Sequence, residues 1–453
     1  MASDTKNNLN KMHVIVIGGG FTGLAAAYEL TRCGIRVTLL EADDQIGGLA
    51  GSFSVGETRL ERFYHHCFNN DRHVIELIDD LKLNRCMIKS PTQTGMYFSN
   101  NLYRLSTPVD LLRFTPLSLY NRFKLGLLVL KARRYKDWLK LDDIPAAEWI
   151  SSLVGKEVFS VVWEPLLAGK FGDYASSISA AWLWAKLVLR GGSRGRMGEE
   201  QLIYFRGGFA VIIDHIVNFI SSHGGTICYR SSARGLEVRN RRITGVIANG
   251  EVLPCDAAIA TTALPVISSL MRSHVSDEFT KSLIKINYLA NVCLVLQLDR
   301  SLSKLYWINV NDPSFPFVGI IEHTNIESPV HYSGHHIVYL SKYLLPNEEM
   351  FGLEDKKLLL FALPYIRRIF PEFSPDWIIN YKVWRAKHAQ PIVSCGYRHI
   401  IPDYATPVDG FYIASMAQIY PEDRGINYAI RDGRKVAGYT RNFLKDQDVV
   451  KTV

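Results

Sequence analysis

The chain has 453 residues, a formal net charge of +8, and 47% apolar and 21% charged residues. That length exceeds one hydrophobic core and fits two or three interwoven domains, while the composition excludes a disordered or fibrous chain. The basic surplus suits an acidic substrate, a nucleic acid or a membrane surface, and equally an ordinary basic exterior.

The first residues, MASDTKNNLNK, lack the apolar stretch of a signal peptide. No run of about 18 uncharged apolar residues follows anywhere, so no membrane span is expected. HVIVI then reads as a short buried parallel strand. Gly18-x-Gly20-x-x-Gly23 comes next, then a helix, LAAAYELTRCG, closed by Gly34. A second strand, RVTLLEA, carries Glu41. This order is that of a dinucleotide-binding turn. The first glycine makes the tight turn, the second admits a pyrophosphate, and the third lets helix and strand touch. The helix N-terminus faces the phosphates, and the acid reaches ribose hydroxyls.

ADDQIGGLAGSF follows Glu41 directly, where an NAD domain would continue with a helix. Next is TRLERFYHHCF, Thr58 to Phe68, with two adjacent histidines. If that piece is extended, His65 and His66 point to opposite faces, so one alone faces a site. Residues 100–200 look helical. RFKLGLLVLKARRYKDWLK within them is basic and amphipathic, which suits an anionic membrane surface or an ordinary solvated face. NVCLVLQLD and HHIVYLSKYLL read as strands. His331, His335 and His336 cluster without partners at metal spacing, so no metal site is expected. The seven cysteines are scattered, never in CxxC spacing, and point to a reducing, cytoplasmic setting without zinc or disulfides.

Four ordered motifs carry a resemblance to a known family. They are the first glycine turn with ADDQIGGLAGSF, then YFRGGFAVIIDHIVNFISSHGGTICYRSSARGLEV, DAAIATTAL and DGFYIASMAQIYPEDRGINYAIRDGRKVAGYT. Together they resemble the superfamily of flavin-dependent amine oxidases, protoporphyrinogen oxidases and phytoene desaturases. WEPLLAGKFGDYASSISAAWLWA is most similar to protoporphyrinogen oxidase-like members. The resemblance implies an α/β chain: a Rossmann-like FAD-binding domain of the glutathione-reductase type, with an interwoven substrate domain of mixed sheet and helices. The FAD-binding pieces are 1–95, 200–285 and 390–445; the substrate pieces are 96–199 and 286–389.

The resemblance further implies noncovalent FAD held by Gly18, Gly20, Phe21, Thr22, Gly23, Glu41, Ala42, Gly47, Gly48, Leu49, Arg62, Ala233, Thr261, Met416, Ile426, Asn427 and Ile430. N–H groups near Asn427 to Ile430 would stabilise reduced flavin. Candidate catalytic residues are His65, His66, Arg62 and Lys170, each with a packing or solvated alternative. Tyr64, Trp163, Glu164, Tyr204, Arg206, Trp384 and His388 are further pocket candidates, with Glu164-Pro165 alternatively closing a helix.

Departures from the pattern are specific. Gln45 stands for the usual arginine and Leu49 for a basic residue, with Arg62 or Arg59 as substitutes. The lysine that amine oxidases often carry near flavin N5 is missing, with Asn291 or Val292 near its place. Cys395 is poorly spaced for a covalent flavin bond. The expected function is an oxidoreductase taking a hydride from a C–N or C–C bond of a small molecule. The alternatives are a non-redox mutase, since the histidine segment is similar to that of UDP-galactopyranose mutases, and a binding module without turnover. Nucleic acid is not expected as a partner. Peripheral membrane contact, and a monomer or dimer, remain open.

Overall fold

The computed structural model describes residues 11–191 and 200–452. HVIVI forms the strand His13–Ile17, with Val14, Ile15 and Val16 fully buried. Such a β-branched run suits a strand covered on both faces. It lies between Arg36–Leu40 and Ala257–Ala260, and Thr226–Cys228 and Phe411–Ile413 form the edges of this five-stranded sheet. Every pairing in it is parallel. The C-terminal ends of the strands therefore share one edge, where open α/β sheets bind ligands. Gly18, Glu41, Thr261 and Ala414 follow four of those ends.

The helix Phe21–Arg32 returns the chain between the first two strands. Gly23 sets how closely it lies: a Cβ there would stand 1.9 Å from the carbonyl oxygen of Gly18. The last helix, Ile426–Thr452, crosses the first at Gly433, where a Cβ would stand 2.3 Å from the carbonyl oxygen of Thr22. No helix follows Glu41; the two glycines there open a short 3-10 turn, Gly48–Ala50.

A second, seven-stranded sheet runs in the order Ile378–Pro391, Tyr288–Leu298, His336–Leu344, Gly319–Glu322, Trp307–Val310, Thr94–Phe98, Asn101–Arg104. All pairs are antiparallel except Trp307–Val310 with Thr94–Phe98. Tyr288–Leu298 is buried throughout, as its long apolar run requires. All five strands of the parallel sheet lie within 1–95, 200–285 and 390–445. The expected boundary at 95 instead cuts through Thr94–Phe98, a strand of the other sheet.

The described part of the stretch 100–200 is mainly helical, with two differences from the expectation. It opens with the strand Asn101–Arg104, and its first helix, Pro108–Leu112, begins at a capping box between Thr107 and Asp110. The basic amphipathic run is two short helices, Leu119–Gly126 and Leu128–Ala132, followed by a 3-10 turn at Trp138–Leu141. Gly126 weakens the helix at the joint, and the break lets Leu128 and Ala132 reach the core. Glu164-Pro165 opens the helix Glu164–Phe171 rather than closing one, because proline is tolerated in a first turn.

Tyr204 is a core residue and not an open pocket group. It is fully buried and donates to Glu61 Oε2 at 2.7 Å, while the Phe209 N–H donates to Oε1 at 2.7 Å and Tyr339 donates to the Glu61 carbonyl at 2.8 Å. Burial pushes the Glu61 carboxyl from 4.5 up to about 7, against the pull of its hydrogen bonds. The folded chain thus keeps this proton when the unfolded chain has lost it. Glu61 costs stability as pH rises from 4.5 through about 7. Between pH 5 and pH 8 the wild type should lose about 2 kcal/mol more than Glu61→Gln, since a proton held by the folded chain alone costs roughly 1.4 kcal/mol for each pH unit crossed. Denaturant melts at both pH values read this, and equal losses would mean that Glu61 is ionised in the folded state.

Candidate functional site

Two glycine elements meet at the C-terminal edge of the parallel sheet. Gly47 donates to the Gly19 carbonyl at 2.9 Å, and Gly20 bridges Gly47. A Cβ on Gly48 would stand 3.2 Å from Gly20 Cα. Gly18 has φ +103°, and a Cβ there would stand 2.9 Å from Thr261 Oγ1. Around Gly20 no atom lies within 4 Å of the Cβ position, so its outer side is open. Leu24 is the first residue of this helix to donate back to Gly20, leaving the N–H groups of Phe21, Thr22 and Gly23 without helical acceptors. The Phe21 side chain packs edge-on against Phe209, so what it offers the loop is its backbone.

Glu41 fixes this arrangement. Its Oε2 accepts from the Gly19 N–H at 2.8 Å and its Oε1 from the Asp43 N–H at 2.8 Å. Gly19 matters as much as the three spaced glycines, since a Cβ there would stand 2.9 Å from Glu41 Oε2. The repeated Gly-Gly-Gly was its only sequence signal. Ala42 is exposed beside Glu41. Ala233 begins the strand Ala233–Arg239 just beyond Ser231, whose N–H donates to the Glu41 carbonyl at 2.7 Å.

Of the two substitute arginines, Arg62 stands with the second glycine element. Its N–H donates to the Gly51 carbonyl at 2.8 Å, and its guanidinium pairs with Asp43 at 2.6 Å and covers Trp384 at 4.9 Å. Arg59 instead pairs with Asp214, and Gln45 is exposed. Leu49 lies half-buried in the 3-10 turn.

Thr261 Oγ1 donates to the carbonyls of Ile17 and Gly18, both at 3.0 Å, and braces the first turn. Met416 opens the short turn Met416–Gln418 after the neighbouring strand. Ile426 and Asn427 begin the last helix, and Ile430 is fully buried. Asn427 Oδ1 accepts from the His73 and Val74 N–H groups at 2.9 and 3.3 Å. Its side chain therefore caps the helix Arg72–Asp80, and its contribution to a ligand is confined to its backbone.

The two histidines enter different surroundings. His65 Nδ1 stands 2.7 Å from the Phe63 carbonyl. A carbonyl only accepts, so Nδ1 carries the hydrogen and Nε2 keeps a lone pair. Burial lowers the His65 pKa to about 4, with Arg424 adding to the shift, so the ring is neutral. His66 turns to the aromatic group of Phe68, Tyr306 and Trp307, with Nδ1 3.0 Å from the Tyr306 hydroxyl. Tyr64 packs on Trp307 and Tyr339, and burial among its neighbours, Tyr343 and Ser341 included, raises its hydroxyl pKa well above the usual value.

Asn291 lies beside this group. Its Nδ2 donates to Ser341 Oγ at 2.9 Å, and its Oδ1 is buried with no partner among the described residues. Val292 is fully buried in the apolar cluster of Leu294 and Leu296.

Lys170 is neither solvated nor isolated. It pairs with Asp423 Oδ2 at 3.1 Å, and Lys186 pairs with the same oxygen at 2.9 Å. Arg424 donates to Tyr343 Oη at 2.7 Å and to Gln390 Oε1 at 3.0 Å. Sequence reasoning missed Lys186, Asp423, Arg424 and Tyr343. The signal for two of them was the Pro-Glu-Asp-Arg-Gly run just before the last helix.

The remaining candidates are dispersed. Arg206 and Glu164 are exposed, and Trp163 Nε1 is buried with no hydrogen-bond partner among the described residues. Trp384 packs on Phe53, and His388 on Tyr288. His331 pairs with Glu327 and His336 with Glu322, while His335 Nδ1 has no hydrogen-bond partner among the described residues. Cys395 lies near Asp142 and Asp143, its thiol pushed up by burial.

A family profile described as "Flavin containing amine oxidoreductase" matches residues 21–439. The coproporphyrinogen III oxidase of Bacillus subtilis (strain 168) is 27% identical over 183 residues, which are 37% of this chain and 38% of that one. The chain thus spans about two fifths or less of the length of the curated relatives it matches first. Cyclohexylamine oxidase from Brevibacterium oxydans IH-35A superposes with TM-score 0.72 at 15% identity, over 95% of this chain and 99% of its own. Reduced UDP-galactopyranose mutase also superposes with TM-score 0.72 at 15% identity, over 96% and 97%. The two likenesses are equal, and they concern the fold alone. The match over nearly the whole chain places the protein in the flavin-containing amine oxidoreductase family.

Proposed function

We propose that the chain binds FAD noncovalently and uses it to take a hydride from a C–N or C–C bond of a small-molecule substrate. The observation that carries this is the open side of Gly20, flanked by three unpaired helix N–H groups and by the second glycine element. That is the cradle a pyrophosphate needs. In this reading Glu41 accepts from ribose hydroxyls, and the N–H groups of Phe21, Thr22 and Gly23 hold the pyrophosphate. The first turn of the last helix offers its N–H groups and positive dipole end to the ring. FAD, when bound, accepts a hydride at N5 and returns the electrons to oxygen or another acceptor.

The chain's own part is to orient the donor carbon, exclude water and hold protons. Asn291 Oδ1, buried and unpartnered, is free to accept from a ligand. His65 Nε2 is likewise free to accept a hydrogen bond, and the low pKa keeps it an acceptor through neutral pH.

The glycines separate cofactor loss from unfolding. Gly20 has φ −72° and ψ 175°, which any residue adopts. Gly20→Val should keep the melting temperature of the FAD-free wild type within about 2 °C but lose flavin absorbance. Gly23→Val should lose both, because its Cβ meets the Gly18 carbonyl. The visible spectrum before and after acid precipitation reads the cofactor: flavin in the supernatant is expected, and a colourless wild type that ignores added FAD would remove the proposal. Anaerobic mixing with substrate should bleach the flavin; a mutase would instead need flavin already reduced and leave it so.

The histidines give a second test. His65→Ala should alter the flavin spectrum or turnover at least tenfold, and His66→Ala should act mainly on stability. Equal, wild-type behaviour of both would leave them as packing residues.

The proposal includes peripheral contact with an anionic bilayer. Among the described residues no helix is long and apolar enough to cross a membrane. Yet Leu112, Leu119, Tyr120, Phe123, Leu127 and Leu130 are all more than 45% exposed within one stretch. Lys124 lies among them, and Arg133, Arg134, Lys136 and Lys140 follow directly. Apolar side chains with a cationic rim suit an acidic headgroup layer. The protein should sediment with phosphatidylglycerol vesicles and much less with phosphatidylcholine, and Leu119→Asp with Phe123→Asp should release it. Equal recovery with both lipids would defeat the contact.

A further inference from the structure

Three cations converge on one carboxylate where the two sheets' connections meet. Lys170 comes from the helix Glu164–Phe171, Lys186 from Ala180–Gly191, and Asp423 and Arg424 from the loop before the last helix. Both lysines hold Asp423 Oδ2, and the Trp182 indole N–H donates to Oδ1 at 3.1 Å. Asp423 is therefore fully engaged. Arg424 finds only neutral acceptors, Tyr343 and Gln390, and its Nη1 has no protein hydrogen bond among the described residues. Among the described residues the formal balance is three positive charges against one negative.

The walls are aromatic. Lys170 stands 4.7 Å and Lys186 4.9 Å from the Trp182 ring centroid, while Lys170 and Arg424 each stand 5.8 Å from that of Tyr343. A structural ion pair has no use for the two surplus charges, since crowding like charges away from water is costly. Nor is the group sealed: the side chains of Lys170, Lys186 and Asp423 keep 16%, 30% and 24% of their surface accessible. The lysine ammonium groups have spare donors, and the guanidinium presents a flat edge suited to an oxyanion. Burial and the neighbouring cations together lower the Lys170 pKa well below its usual value, a strain that a second anion would relieve.

The group also touches the histidine segment. Tyr343, which accepts from Arg424, lies close to Tyr64, one residue before His65, and both Tyr343 and Arg424 act on the Tyr64 hydroxyl.

The geometry points to an oxyanion subsite: Lys170, Lys186 and Arg424 bind a carboxylate or phosphate group of the substrate and so anchor its reacting carbon beside the Tyr64–His65 segment. The substrate is then an anionic small molecule, and a cationic amine is repelled. This rests on the flavin oxidoreductase reading for the word substrate, but anion binding itself is measurable without flavin.

Titration of the whole protein, with and without added FAD, tests it at constant ionic strength. Tryptophan fluorescence reports on Trp182, and the probes are inorganic phosphate, pyrophosphate, succinate and putrescine. Saturable binding of at least one oxyanion, with none for putrescine, is expected. Preference among the three oxyanions tells phosphate from carboxylate. Lys186→Gln leaves the Lys170–Asp423 pair in place and should weaken the oxyanion at least tenfold with an unchanged melting temperature; Trp182→Phe should remove most of the fluorescence change. No saturable response to any oxyanion in a wild type that takes up FAD would overturn the subsite alone. Oxyanion binding in a protein that never takes up FAD would support the subsite and remove the flavin reading. Undiminished binding in folded Lys186→Gln would also overturn it.

Discussion

The missing side chain at Gly23 is the constraint on which the rest of the arrangement depends. With 1.9 Å between its Cβ position and the Gly18 carbonyl, nothing larger lets the first helix lie against the first strand. That contact fixes where the helix N-terminus points, and so where its free N–H groups gather. Gly433 repeats the device one layer out, letting the last helix lie on the backbone of Thr22. The two helices whose N-termini would serve one cofactor are thus fixed to each other by glycine contacts, and a shift of either moves both.

Two kinds of electrostatics operate around that core. At the glycine elements the donors are backbone N–H groups, held by Glu41 through Gly19 and Asp43. Fixed dipoles of this sort need no reorganisation when charge arrives. At the Asp423 group the donors are formal charges on long side chains, held against Trp182 and Tyr343. Such a group discriminates by net charge and depends on a partner to be fully satisfied. The first kind suits a resident ligand and the second a passing one.

Much of this was legible in the sequence. HVIVI, RVTLL and AAIA are short β-branched or small apolar runs that end at Gly18, Glu41 and Thr261 of the binding edge, and each is a strand of the parallel sheet. Glycine spacing carried the cradle because a backbone requirement is local. The rest was not local. Glu61 and Tyr204 are 143 residues apart and meet side chain to side chain from strands of two different sheets; the YFRGG motif marked Tyr204 without naming its partner. Lys170 was a candidate by type, but its partner Asp423 is 253 residues away, and only the topology brings them together. The joint at Leu127 was hidden for a related reason: three- and four-residue spacing continues through it, and packing of Leu128 and Ala132 decides the break.

The departures from the family pattern follow one logic, in which cations are displaced rather than lost. Gln45 is neutral and exposed, yet Arg62 brings a guanidinium to the same glycine element from the next strand connection. Asn291 and Val292 are neutral near the place where a lysine is usual, yet Lys170 and Arg424 stand over Tyr343 and Lys186 over Trp182, with Tyr64 close to Tyr343 and to the Ser341 that accepts from Asn291. Moving a charge from the strand to the helices and loop that face it changes what it can do. A single lysine on the strand is a point donor aimed at one atom. Three cations around an aromatic wall hold a whole anionic group, and they leave the strand position to an amide that neither gives nor takes a proton. On the proposed reading, hydrogen bonding near the reacting atoms would fall to the neutral His65 and charge recognition to the cation group, so that the two tasks would rest on different elements of the fold.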